Sequence, residues 1–310
     1  MIIDAHAHIV SSFSGLIGSG HVRGLEFGQV QIASDPPIQV MPPYSRSTTF
    51  PPEVLIANMD WAGVDKAVLL QGSFYGERND EVLAACQQYP DRLTGAAFLD
   101  PWSEDPRSEF DRLFDLLKFP ILKIEFSDAT GLHGLHPGVR LDDTALDWLW
   151  DELQRRDLNL TFDPGVVGSP SYQTSALEKI ARQHPDLTMV VCHLGFPCRD
   201  MDADAELTEQ WQQQIALGKL ANVWFDISAL PHRAEQVYPF PKMAEWIRYA
   251  LDVVGPEKLL WGTDAPGVTT AGVYPQLLTA YQELLIDLSD SDREMVFGRN
   301  AARVYRFDSL

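Results

Sequence analysis

Short, continuous apolar runs punctuate the chain at residues 2–5, 66–71, 94–99, 121–126, 159–163, 188–193, 223–227 and 259–262. They lack the alternation of a half-buried strand, so each predicts a strand covered on both faces. Between them the hydrophobic period lengthens to that of a helix. Over 142–156, Ala145, Leu146, Leu149, Trp150 and Leu153 fall on one helical face. Asp142 and Asp143 suit the positive N-terminus of that helix, and Arg155 and Arg156 its C-terminus. Ser175 with Glu178, and Ser291 with Glu294, have capping-box spacing. Further helices are predicted over 52–62, 79–89, 105–117, 204–218, 242–254 and 272–288. Buried strands alternating with helices predict a parallel sheet, and eight such units predict closure into a (β/α)8 TIM barrel, a single domain over residues 1–310.

Two segments interrupt this rhythm. Residues 10–51 are rich in Gly, Ser and Pro and weakly periodic. Following the first strand, they are expected to form a long loop over the C-terminal mouth of the barrel, where catalysis takes place in this fold. Residues 127–140, after the fourth strand, carry His133 and His136 and form a second candidate lid.

The strand ends hold the chemistry. His6 and His8 alternate at the end of the first strand, so period-two geometry turns both imidazoles to one face. Two neutral imidazoles suit Zn²⁺ or a similar ion. Asp4 is placed to support them from behind. Asp264 ends the last strand, which neighbours the first in a closed barrel. A carboxylate there can bind a metal and accept a proton from water. His193, ending the sixth strand, can ligate a metal or donate to a developing oxyanion. Cys192 is expected on the opposite face, as packing. Glu125 ends the fourth strand as a ligand, a substrate contact or the ion-pair partner of Lys123, with which it shares a face. Asp226 lies at similar height on the seventh strand and is a weaker candidate. His21, His133, His136 and His232 read as loop histidines. Arg46 is the nearest cation for a substrate carboxylate, and Tyr75, Trp102 and Phe196 are candidates for an aromatic wall.

The pieces DAHAHI at 4–9, HLG at 193–195, LLWGTDAP at 259–266 and GRNAARVYRF at 298–307, in this order and spacing, resemble the amidohydrolase-related family of metal-dependent barrels, which includes hydrolases and aminocarboxymuconate-semialdehyde and resorcylate decarboxylases. The resemblance implies His6 and His8 as ligands, Asp264 as ligand or proton acceptor, and His193 as the catalytic histidine. The sequence departs from the family at the fifth strand, where Asp163 stands in place of a metal-binding histidine. Zinc is the expected ion and manganese the alternative. Work without metal is a further alternative, because some lactonases of the superfamily are thought to need none.

Composition narrows the partners. The formal charge is -20, from 44 acidic and 24 basic residues, and no basic run is present to replace the counterions of a nucleic acid. The three cysteines include no CxxC pair, which suits a reducing compartment. The first residues lack a basic and apolar leader, and no long apolar run reads as a membrane span, so a cytoplasmic location is expected. The expected reaction is hydrolysis of an ester, lactone or amide of a small molecule. The alternatives are non-oxidative decarboxylation of an aromatic or dienoic acid and a non-catalytic ligand-binding barrel. A homodimer is compatible with the sequence.

Overall fold

The computed structural model describes residues 1–234 and 238–307. Eight parallel strands form one sheet in chain order: β1 (Ile3–Ala7), β2 (Lys66–Leu69), β3 (Leu93–Phe98), β4 (Ile121–Glu125), β5 (Asn159–Asp163), β6 (Met189–Val191), β7 (Val223–Asp226) and β8 (Leu259–Leu260). Helices cover the outer face of this nearly closed barrel. Each strand falls within a few residues of its predicted run, because a strand buried on both faces needs an uninterrupted apolar sequence. The chain beyond β8 closes the barrel against β1. Ala5 N donates to Trp261 O (2.9 Å), Asp264 N to His6 O (2.7 Å) and His8 N to Ala265 O (2.8 Å). The seam is tight: a Cβ on Gly262 would lie 2.9 Å from the His6 backbone nitrogen, a close approach that glycine permits.

The barrel floor is apolar. Ile3, Ala5, Val68, Ala96, Ile121, Val190 and Leu260 pack against Ala301, Ala302, Val304, Tyr305 and Phe307 of the C-terminal helix Asn300–Tyr305 and its extension. A larger cluster fills the layer between sheet and helices. The stripe of helix Asp147–Arg155 buries Leu149, Trp150 and Leu153 there, while the Asp143 side chain accepts from Ala145 N at the preceding turn. The two predicted capping boxes are not formed. Ser175 lies inside helix Thr174–Gln183, and Ser289 caps helix Asp290–Glu294 by accepting from Asp292 N.

Residues 10–51 are not a plain loop. They hold a four-stranded antiparallel sheet of strands Leu16–Ile17, Gly20–Gly24, Gln29–Ile32 and Ile38–Gln39. Its base is clasped by Val10 and Phe50, each backbone N–H donating to the other's carbonyl at 2.8 and 2.7 Å. Among the described residues no helix is long and apolar enough to cross a membrane.

Candidate active site

The histidines reach the centre through an irregularity in β1. Its register with β2 shifts between Asp4 and Ala7. Asp4 therefore turns toward the outer helix, where its carboxylate accepts from Thr263 N (2.8 Å), Thr263 Oγ1 (2.6 Å) and Tyr274 OH (2.5 Å). His6, two residues on, turns to the barrel axis. Burial raises the Asp4 carboxyl to about 6, against these donors. Further round the barrel, β6 stops at Val191. His193, Leu194 and Phe196 then adopt left-handed backbone conformations (φ 55, 53 and 59°). Asp264 does the same at φ 70°. Such conformations are costly for side chains with a Cβ and persist where surrounding contacts demand them. The turn also corrects the expected position of Cys192. Because alternation ends one residue early, its thiol points inward and accepts from Lys123 Nζ at 3.0 Å. Burial pushes that thiol well above its ordinary range, which removes the thiolate a nucleophile needs.

Three imidazoles converge here, each held by its Nδ1. His6 Nδ1 lies 3.0 Å from Asp226 Oδ2, and His8 Nδ1 lies 2.9 Å from Leu70 O, with the Tyr75 hydroxyl beside it. His193 Nδ1 lies 2.8 Å from Ser228 Oγ. Ser228 in turn donates its hydroxyl to Asp226. All three Nδ1 atoms are therefore assigned as donors, which leaves each neutral ring an unprotonated Nε2. Those three nitrogens face carboxylates rather than donors. His8 Nε2 is 3.1 Å and His6 Nε2 3.5 Å from Asp264 Oδ1, and His193 Nε2 is 3.4 Å from Asp163 Oδ2. His6 Nε2 is buried with no hydrogen-bond partner. Burial lowers the His6 pKa to about 4, so this ring is neutral near pH 7.

Lone pairs opposed to lone pairs call for a cation between them, and the donor set fits one. His6, His193 and Asp264 each offer an atom within 4.8 Å of the others. His8 reaches the same Asp264 oxygen from its own side. Beside the expected set of His6, His8, Asp163 and Asp264, this grouping adds His193, and Asp163 lines the same cavity 3.4 Å from His193 Nε2. The protons can also be arranged around that pair. Against burial, Asp163 and Asp264 raise the His193 pKa, and His193 and Lys123 hold the Asp163 carboxyl below its ordinary range. A second grouping, His6, Cys192 and Asp226, is fully buried, and neither Cys192 nor Asp226 lines the cavity above.

That cavity, about 420 Å³, opens over the histidines. Tyr75, Glu125 and Phe196 line it, in keeping with their expected positions. Glu125 does not pair with Lys123. Its Oε1 accepts from Ser127 Oγ and Thr130 Oγ1, both at 2.8 Å, and burial together with the Asp163 charge raises its pKa. Trp102 lies outside the lining, stacked on Phe126 with ring centroids 5.6 Å apart. Arg46 is also outside it. Its side chain is 79% exposed and pairs with Glu26 at 2.7 Å, because an acidic neighbour across the lid hairpin satisfies it in solvent. His133 and His136 are engaged by Asp128 and Asp100 at 2.9 and 2.8 Å and do not reach the cavity. The cation that does line it is Arg233, on the one-turn helix Leu230–Arg233 after β7. No sequence motif marks this residue.

A family model described as amidohydrolase matches residues 3–307. The chain belongs to this family. L-fucono-1,5-lactonase of Burkholderia ambifaria is 30% identical over 175 residues, or 54% of this chain and 57% of that enzyme. The match thus spans somewhat more than half the relative's length. Among solved structures, an amidohydrolase from Burkholderia multivorans with bound zinc superposes with a TM-score of 0.70 at 18% identity, over 99% of both chains. A probable 2-pyrone-4,6-dicarboxylic acid hydrolase from Acinetobacter baumannii gives 0.69 at 17%, over 98% of this chain and 99% of that one. At these identities the structures establish the shared barrel.

Proposed function

We propose that this amidohydrolase cleaves the carbonyl–oxygen bond of a lactone or ester of a small organic molecule by addition of water. The observation behind this reading is the set of three imidazoles with Nδ1 tied down and Nε2 turned onto carboxylates. His6, His193 and Asp264 would hold a divalent cation, with His8 beside them. Zinc suits the nitrogen donors, and manganese would be favoured if Asp163 joined them. When bound, such a cation supplies Lewis acidity, polarising the carbonyl and bringing the pKa of water down toward about 7.

The chain's own groups manage the protons and the fit. Asp264 lines the cavity, and while its Oδ1 is engaged by His8, its Oδ2 has no hydrogen-bond partner among the described residues. It accepts the proton of the attacking water and returns it to the departing alkoxide. Asp226 and Ser228 keep the rings of His6 and His193 in one tautomer. Tyr75 and Phe196 wall the reacting bond, and Glu125 and Thr130 offer polar contacts beside it.

The test is a turnover screen over lactones, esters and amides, with metal content measured on protein purified without added metal. One water should be consumed per turnover, and chelator should abolish the activity. Turnover that survives chelation would show that the chain's own acid–base groups, Asp264 and the His193–Asp163 pair, carry the reaction without a cation. Release of CO₂ without consumption of water would overturn hydrolysis in favour of decarboxylation.

A further inference from the structure

The walls of the cavity differ in chemistry on its two sides. Phe74 and Tyr75 follow β2, and the lid packs against that side, with Phe13 and Phe74 ring centroids 5.9 Å apart. Ile32, Ile38, Val40 and Met41 of the lid complete an apolar wall. Strand order places β6 opposite β2 across the barrel. Phe196 follows β6 and Arg233 follows β7. The Arg233 guanidinium carbon lies 4.2 Å from the centre of the Phe196 ring, and that ring stands edge-on to His193 at 5.2 Å.

Arg233 is the anomaly among the described residues. It makes no ion pair and its side chain no hydrogen bond, and its Nε is buried without a partner. Asp264, Asp163 and Glu125 pull on its charge from a distance, but burial still holds its pKa below the ordinary range. A guanidinium with five donors, fixed on an aromatic face and left unpaired, is a receptor for a planar anion. On the wall opposite, the lid's one polar side chain at the cavity, Gln39, commits its amide nitrogen to Phe27 O and Met41 O, so that wall offers few groups to the hydroxyls of a sugar.

We infer that the substrate is an amphipathic carboxylate: its anionic group pairs with Arg233, its hydrocarbon body lies under the lid sheet, and the bond to be cleaved lies between them over the histidines. This rests on the hydrolytic reading above. It also separates this protein's substrate from the polyhydroxylated lactone named for the Burkholderia ambifaria relative.

Three lactones test it: D-glucono-1,5-lactone, δ-nonalactone, and δ-nonalactone carrying a terminal carboxylate. The carboxylated lactone should have the highest kcat/KM, at least tenfold above the uncharged one, and the sugar lactone the lowest. In Arg233→Met the tenfold preference should collapse to about one, through KM more than kcat, as expected when a charged hydrogen-bonding partner is removed. Arg233→Lys should restore part of it. Replacing Val40 by Asp should weaken both nonalactones relative to the sugar lactone. A preference for the sugar lactone, or an unchanged charge preference in Arg233→Met, would overturn the inference. If the wild type turns over none of the three, hydrolysis of lactones fails separately. Calorimetric binding of azelate against neutral 1,9-nonanediol, in wild type and Arg233→Met, then decides the anion site. Equal affinity of the wild type for both compounds would refute it.

Discussion

The two ends of this barrel are closed by opposite means. At the bottom, the C-terminal helix seals the strands with Ala, Val, Tyr and Phe; Thr161 Oγ1 pairs with Tyr305 OH at 3.1 Å, and the atoms left unpaired there, Asn159 Oδ1 and Trp224 Nε1, belong to neutral side chains. At the top, three imidazoles, Asp163, Asp264 and Glu125 crowd together under a separate small sheet, with His6 Nε2 and Arg233 Nε unpaired. Dispersion and the hydrophobic effect reward the first arrangement directly. The second is electrostatically frustrated and exists because the first is stable enough to carry it. Substitutions at the two ends should therefore separate activity from stability.

The largest effect is expected at the top. Asp264→Asn removes the proton acceptor while keeping the shape of the side chain. It should lower kcat/KM by about 10³-fold or more, with a thermal midpoint within a few degrees of wild type. A variant with near-normal turnover would take Asp264 out of the chemistry. At the bottom, Tyr305→Ala empties a fully buried aromatic position. It should cost about 3–5 kcal/mol in denaturant unfolding while the folded fraction keeps its turnover number. A matching fall in turnover would show that the plug shapes the mouth.

Asp4 lies between the two ends, and its effect is smaller and depends on pH. Its folded pKa, about 6, exceeds the ordinary value of 3.8. The stability it contributes as a neutral acid is therefore complete below about 4 and is lost as pH rises through about 6. Between pH 4 and 7, wild type should lose about 1–3 kcal/mol relative to Asp4→Asn, read as the difference between their unfolding free energies. A difference independent of pH would mean that Asp4 stays ionised throughout. The smallest effect is expected at Cys192. Cys192→Ser should keep turnover within about threefold and retain bound metal, since the thiol is protonated and away from the cavity. Loss of metal would move the cation to the buried grouping of His6, Cys192 and Asp226.

The difference between the ends also governs what the sequence discloses. Continuous apolar runs define all eight strands, and the terminal motif at 298–307 defines the plug, because apolar burial leaves a periodic trace. The juxtaposition of His6, His8 and Asp264 was legible as well, since barrel closure follows from strand count. The lid sheet was not. Its strands span two to five residues, with half-exposed side chains and turns rich in Gly and Ser, a pattern that a loop also has. The early turn that aims Cys192 inward depends on left-handed residues that carry no glycine to announce them. Arg46 and Arg233 show the same limit for charge. The first is well placed by its position in the lid sequence, but an acidic neighbour in the fold holds it in solvent. The second follows a strand on a single helical turn, and only tertiary packing distinguishes it.

Asp226 gives the site an unusual economy of control. One oxygen faces the His6 ring at 3.0 Å, while the other accepts from His193 N at 3.0 Å and from Ser228, whose hydroxyl in turn orients the His193 ring. Two inward-facing nitrogens from opposite sides of the seam thus take their aim from a single carboxylate, itself locked to the rigid end of β7. Errors in their pointing are consequently correlated. A displacement of this strand end tilts both rings together and preserves their separation, whereas independent anchors would let each drift alone.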